Sequence, residues 1–414
     1  MFGRYRGTRL QRSIDRPLIT MLDRKPLLRY GDMVFTRAWA NFFLYGGVLT
    51  GPFPANTLAT RNIGGRTVGQ WEGARDSVFY PSDQANTNPA WSPANVTFTP
   101  NAVLAPDGNT TADEIIENNI NAGIGIYAGS SGGAAAASWT FSIWLRNNNR
   151  RYIDVRLYGN AATEWGAITV DLQAGTVTQA QKGAGVTAAI TSHIIASIVG
   201  GYFVALTVTF NGARDVYACL DFADSATPAL DANLGYCICA GDGTHSVYAW
   251  GLQIERAATF RSSYIVTIGS GVTRPPDVGY WPAAVVPAAI ASGRWSVDVI
   301  PEFSDTEASA WHMIASYSGT ILDYFGIERT GGVTYVSVYD AATLAVRRAI
   351  TFSREQKMTF TFDCVAGSVT VSGATIGNGT TVGVPWVHVI SDVYWGSWTS
   401  GASLHFFGKL SEPY

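Results

Sequence analysis

Apolar and polar residues alternate along much of this chain. Thr334-Tyr-Val-Ser-Val-Tyr339 and Lys357-Met-Thr-Phe-Thr-Phe-Asp363 place apolar side chains at every second position. That is the period of a strand with one buried face. Runs of the same kind, rich in Val, Ile, Thr and aromatic residues, predict strands near residues 95–99, 138–146, 152–157, 167–171, 190–198, 202–209, 216–220, 236–240 and 248–254. A second series falls near 295–300, 311–317, 324–329, 334–339, 347–352, 357–364, 368–371 and 391–395. Residues 110–117 fit a strand or a short helix. Helical spacing otherwise shows only in Leu10, Ile14, Leu18 and Met21, and Pro17 interrupts it.

Between the two series stands Arg274-Pro-Pro-Asp277. Two prolines cannot continue a central strand, so this run predicts an extended linker. The expected fold is all-β, with two β-sandwich domains after an N-terminal arm. The expected parts are an arm at 1–30, an irregular connecting region with short strands at 31–80, a sandwich at 81–274 and a second at 278–414. A chain of 414 residues fits two cores better than one. Residues 190–210 carry no formal charge, but Gly200-Gly201 divides them. A hairpin is expected there, not a membrane span.

Charge changes this picture at one end only. The net charge of −3 gives no reason to expect a nucleic-acid partner. Residues 1–29 nevertheless carry a net +6, which leaves the remainder at −9. A basic arm on an acidic body suggests docking to an acidic surface. Arg4, Arg6, Arg9, Arg12 and Arg16 are the candidate anchors. The first apolar run, 17–22, is too short for a secretory signal.

The chemistry-bearing residues are sparse. Cys237-Ile-Cys239 puts two sulfurs on one strand face, too close to bridge each other. A bridge from Cys219 to either stays open, but buried reduced thiols are the expected state, for these and for Cys364. No cysteine or histidine pair has zinc spacing. Glycoside hydrolysis needs two facing carboxylates. The one Asp-x-Glu, Asp305-Thr-Glu307, falls in a Ser/Thr/Ala-rich loop, so no catalytic residue is assigned. Sugar binding would use flat rings outside the core. Trp398 in Trp395-Gly-Ser-Trp398-Thr-Ser-Gly401 is the leading candidate, with Trp395, Trp311, Trp386 and Trp165 behind it. No cofactor is expected. Asp107-Gly-Asn109, Asp113 and Glu255 are the one oxygen-rich set weighed for a structural calcium ion, against an ordinary Asp-Gly turn.

Several segments carry a resemblance. Trp250-Gly-Leu-Gln-Ile-Glu255 is followed by Ser263-Tyr-Ile-Val-Thr-Ile-Gly-Ser-Gly-Val-Thr-Arg274. This is similar to a pattern of bacteriophage virion fibre and head-spike proteins. Met33-Val-Phe-Thr-Arg-Ala38, Trp71-Glu-Gly-Ala-Arg75 (with Asp76-Ser77 departing from the pattern), Ala105–Asp113, Trp139–Leu145 and Val170–Val177 match further pieces in order. Leu404-His-Phe-Phe-Gly-Lys-Leu-Ser411 resembles the closing strand of concanavalin A-like, laminin-G-like sandwiches. The resemblance implies a jelly-roll first domain and a virion-surface protein that adheres to a host polysaccharide. A capsule depolymerase and a purely structural capsid or tail component are the alternatives. It also implies docking to other virion proteins and a closed homo-oligomer, with a trimer favoured.

The arm yields a prediction. Removing residues 1–29 should leave folded, soluble protein that no longer joins the particle, and joining should weaken with salt in the intact protein. Co-sedimentation with particles checks it, and normal assembly of the truncated protein would reduce the arm to a tail.

Overall fold

The computed structural model describes residues 29–37, 41–78, 82–83, 91–129, 137–286, 294–308, 311–317, 324–340, 343–363, 368–371, 374–378, 393–395, 406 and 408–413. They form an all-β protein. Helix among them is limited to two 3-10 turns, Tyr30–Asp32 and Ala283–Val285.

The first sandwich packs a six-stranded sheet on an eight-stranded one. The smaller sheet runs, in spatial order, Thr176–Lys182, Trp165–Asp171, Tyr152–Tyr158, Tyr217–Ala223, Gly125–Gly129 and Ser92–Ala94. The larger is centred on Tyr202–Thr209, Ser138–Asn147 and Ser246–Arg256, all antiparallel. Alternation decides what fills the space between. Trp139, Phe141, Ile143 and Leu145 point in from one sheet, and Ile153, Val155, Leu157, Leu220 and Phe222 from the other. The uncharged stretch at 190–210 is the hairpin of Thr191–Ala196 and Tyr202–Thr209. Ala112–Glu117 is a strand.

The second sandwich packs two seven-stranded sheets. Its core is aromatic. Trp395 lies 5.4 Å from Trp281 and 5.1 Å from Trp295 between ring centroids, and Trp295 lies 4.9 Å from Phe325. The two cores are separate clusters of buried residues.

Residues 31–80 hold short strands, as the sequence reading has it. Six are described. They enter both sandwiches. Arg66–Trp71 pairs with the closing strand Gly408–Ser411, and Val34–Thr36 pairs with Val278–Trp281. Both therefore belong to the second sandwich. Arg75–Ser77 pairs with Ser246–Arg256 and Val272–Arg274, inside the first. Strands of three to six residues are too short for alternation to register. Burial settles their place, since Val68 and Trp71 are fully enclosed. The hairpin of Asn41–Tyr45 and Val48–Phe53 lies between the sandwiches. Phe43 packs with Val68 and Ile300 of the second, and Leu49 packs on Trp144 and Trp250 of the first.

The chain thus crosses from one sandwich to the other twice, near residues 72–75 and 274–277. A buried polar network occupies the crossing. Arg37 donates through Nε to Asp277 Oδ1 at 2.7 Å and through Nη2 to Oδ2 and to the Gln70 carbonyl. The Glu72 backbone N–H donates to Asp277 Oδ2 at 2.9 Å. Arg274 donates to Glu72 Oε2 and to Ser263 Oγ, each at 2.9 Å. Gln70 Nε2 bridges Glu72 and Glu302, and Lys409 pairs with Glu302 at 3.3 Å. Arg37, Glu72, Arg274 and Asp277 are all 2 % exposed or less.

Removing one partner of such a pair leaves a buried charge unmatched, which costs about 3–5 kcal/mol. Asp277→Asn should therefore lower the unfolding free energy by ~3 kcal/mol or more, measured by urea denaturation. A loss below ~1 kcal/mol would mean that the joint does not rest on this pair.

Candidate functional site

The motif of residues 250–274 is structural. Gly251 takes a φ of +67° where the ladder to Ser138–Asn147 slips by one residue. The added residue reverses the side-chain phase, a β-bulge. Leu252 and Ile254 then face the core, while Trp250, Gln253 and Glu255 face outward. Those outward groups capture the returning segment. Tyr264 packs on Trp250 at 4.6 Å. Gln253 Oε1 accepts the Ile265 N–H at 2.7 Å, and Glu255 accepts the Ser262 N–H at 2.9 Å and its hydroxyl at 2.5 Å.

The other sheet of the first sandwich has a different outer face. In Tyr152–Tyr158 the core residues alternate with outward Asp154, Arg156 and Tyr158, and in Tyr217–Ala223 with outward Tyr217, Cys219 and Asp221. The register sets Tyr158 opposite Tyr217, Arg156 opposite Cys219, and Asp154 opposite Asp221. On the next strand Tyr127 lies opposite Cys219. Three tyrosines thus cross three strands in a row. Ring centroids are 6.1 Å apart for Tyr158–Tyr217 and 6.5 Å for Tyr127–Tyr217. Gly129 stands opposite Tyr217, and a Cβ there would come within 2.6 Å of the ring. That glycine lets the ring lie down over its neighbour strand.

These rings line a cleft of about 310 Å³, walled by Leu234 and Tyr236 from the segment that follows Tyr217–Ala223. The volume is that of a small-ligand pocket. Tyr127 is 42 % exposed, and Tyr158, Tyr217 and Tyr236 are half-buried. Arg156 at the floor donates through Nε to Asp221 Oδ2 at 2.8 Å and through Nη1 to the Leu234 carbonyl at 2.8 Å. The second bond fastens the wall to the sheet. Trp165 fastens it again, donating from Nε1 to the Ala232 carbonyl at 3.1 Å. Burial raises the Cys219 thiol to about 12, with the Arg156 charge opposing, so Cys219 is an inert neutral group at the floor. Asp154 lies fully buried beside the cleft and accepts the Thr169 hydroxyl at 2.5 Å. Burial, opposed by that bond and aided by the Asp221 charge, lifts its carboxyl from 3.8 to about 7.

None of the described sugar-binding candidates from sequence lines this cleft. Trp395 is a correction: it is 1 % exposed in the aromatic core, where its ring cannot meet a ligand. Trp165 is likewise buried. Trp311 pairs through its backbone with Glu328. Trp386, Trp398, Cys364 and Arg4, Arg6, Arg9, Arg12 and Arg16 lie outside the described residues. Cys219, Cys237 and Cys239 are free thiols. Glu307 is paired with Arg354 and accepts the Ser304 N–H at 2.9 Å, which caps a turn.

The oxygen-rich set does not converge. Asp113 is opposite Ala249, so Glu255 lies six residues farther along that strand, about 20 Å away at ~3.3 Å per residue. Asp107 holds its own turn, accepting the Asn109 N–H at 3.0 Å. Glu117, Asp242 and His245 do bring ligand atoms within 4.8 Å of one another. Their bonds are already assigned: Glu117 meets Arg150 and the Asp242 N–H, and Asp242 meets the N–H groups of Thr244 and His245.

No family model matches the chain, and no curated protein matches it.

Asp154 yields a prediction. Its folded value exceeds its unfolded one, so its stabilisation is complete below about pH 4 and is lost as pH rises through about 7. The change is a few kcal/mol, ~4 at most. Asp154→Asn keeps an acceptor for Thr169 and should flatten the fall in stability between about pH 5 and about pH 8. Urea midpoints across that range check it; equal slopes in both proteins would show that another group titrates.

Proposed function

We infer that the protein is a virion-surface component that holds a host glycan in the tyrosine cleft of its first sandwich and does not cleave it. One observation carries the binding: Tyr127, Tyr158 and Tyr217 in a row over an open sheet face, with Tyr236 opposite. Pyranose rings present apolar C–H faces that pack on the negative face of an aromatic ring. Their hydroxyls find phenol and amide partners at the edge, here the tyrosine hydroxyls and Asn160. The virion setting rests on the ordered motifs between residues 33 and 275. Anchoring through the basic arm and a trimeric assembly complete the proposal, since several weak sites on one body gain avidity.

Binding without cleavage follows from how the carboxylates are used. Hydrolysis asks one to give a proton and the other to attack or activate water, both at the sugar. Asp221 is committed to Arg156, and Asp154 is sealed beneath the surface.

Tyr217→Ala withdraws one ring face from the ligand. At ~25 cal/mol per Å², losing on the order of 60 Å² of contact costs ~1.5 kcal/mol, about tenfold in Kd. Tyr217→Phe should keep most of the affinity. Adsorption of each folded variant to host cells or host polysaccharide is the measurement. Unchanged adsorption by Tyr217→Ala and Tyr127→Ala would move binding away from this cleft, and time-dependent shortening of the polysaccharide would favour the depolymerase.

A further inference from the structure

We propose that the cleft selects uncharged sugars and rejects glycans bearing uronate, sialate, sulfate or free amino groups. This rests on the reading of the cleft as a glycan site and adds the class of glycan. Among the described residues, the charged groups that line it are Arg156 and Asp221, and they neutralise each other at 2.8 Å.

Arg156 already spends its charge on a protein carboxylate. Nε donates to Asp221 and Nη1 to the Leu234 carbonyl, in a side chain 9 % exposed. A ligand carboxylate that took its remaining N–H groups would share one positive charge with Asp221, and drawing the guanidinium away would strand a nearly buried carboxylate. Asp154 sits directly across the strand pair from Asp221 but is enclosed, so Asp221 is the carboxylate that a ligand anion would meet. A ligand ammonium meets the mirror difficulty, because taking Asp221 would leave the guanidinium unmatched. The thiols of Cys219 and Cys237 face the same groups as neutral, buried donors. What remains for recognition is uncharged: four phenol rings, the Asn160 amide and the apolar wall of Leu234.

The test is the full chain on an array of bacterial surface oligosaccharides that includes matched neutral, acidic and amino-bearing forms. Retained glycans should be neutral, binding at least tenfold tighter than their charged counterparts. Their affinity in titration calorimetry should change less than about twofold between roughly 50 and 500 mM NaCl, because no ion pair forms on binding. Asp221→Asn frees Arg156 and should raise uronate binding about tenfold, while Asp221→Glu should not. If Asp221→Asn fails to fold, the wild-type salt dependence still decides. Acidic or amino glycans retained preferentially, or neutral binding that falls steeply with salt, overturn the charge selection and leave the cleft as the site. Binding of none of them, with Tyr217→Ala indistinguishable from wild type, overturns the cleft reading and this inference with it.

Discussion

The structure turns on the buried pairing of Arg37 with Asp277 and of Arg274 with Glu72. Each pair joins residues more than 200 positions apart, and Glu72, Arg274 and Asp277 lie where the chain crosses between the sandwiches. Separate cores cannot fix their mutual angle by apolar packing alone. Charged groups buried at the joint impose a stricter condition, because an arrangement that misaligns one pair leaves ions in a low-dielectric space. Asp277 accepts from the Arg37 guanidinium and from the Glu72 backbone, so the second Pro-flanked crossing is tied to the first. Attraction in such a network roughly balances desolvation. Its contribution is a single geometry more than extra stability.

That joint explains why the sequence was legible in some places and not in others. Long strands announced themselves. The alternation of Met358–Asp363 is matched residue for residue by its burial, and the Gly200-Gly201 hairpin formed where two apolar runs met. The Pro-Pro run did mark a crossing. The same logic reached residues 31–80 only as far as short strands, because two of them pair across more than 200 residues, as Arg66–Trp71 does with Gly408–Ser411. A three-residue strand carries almost no periodic signal, and its identity comes from the neighbour that covers it. The polar strand Thr176–Lys182 escaped notice for a related reason: it is an edge strand with no deeply buried face.

The site was hidden by a different limit. Sequence alternation tells which residues of one strand share a face, and Tyr152-x-Asp-x-Arg-x-Tyr158 does display an aromatic and charged outer face. It does not tell which strands are neighbours. The cleft exists only because Tyr158 meets Tyr217 and Tyr127 lies diagonally beyond, a juxtaposition set by register. In this chain Trp71, Trp139, Trp144, Trp250, Trp281 and Trp395 are among the largest fully buried side chains. The half-exposed tyrosines of the cleft each keep one apolar face and one wet end.

The two faces of the first sandwich divide the work. The outer face of its eight-stranded sheet is covered: Trp250 holds Tyr264, Leu49 of the hairpin packs on Trp144, and Glu255 pairs with Arg75 near the joint. The outer face of the six-stranded sheet carries the cleft. Cleft and joint therefore lie on opposite sides of one sandwich. The described chain begins at Arg29, whose carbonyl accepts the Trp281 indole N–H at 2.7 Å, so the basic arm leads into the second sandwich. If that arm holds the particle, the second sandwich is the inner one and the first reaches outward. A rigid joint then has a functional reason, because weak sites on a multivalent body gain avidity only when they are presented in a fixed direction.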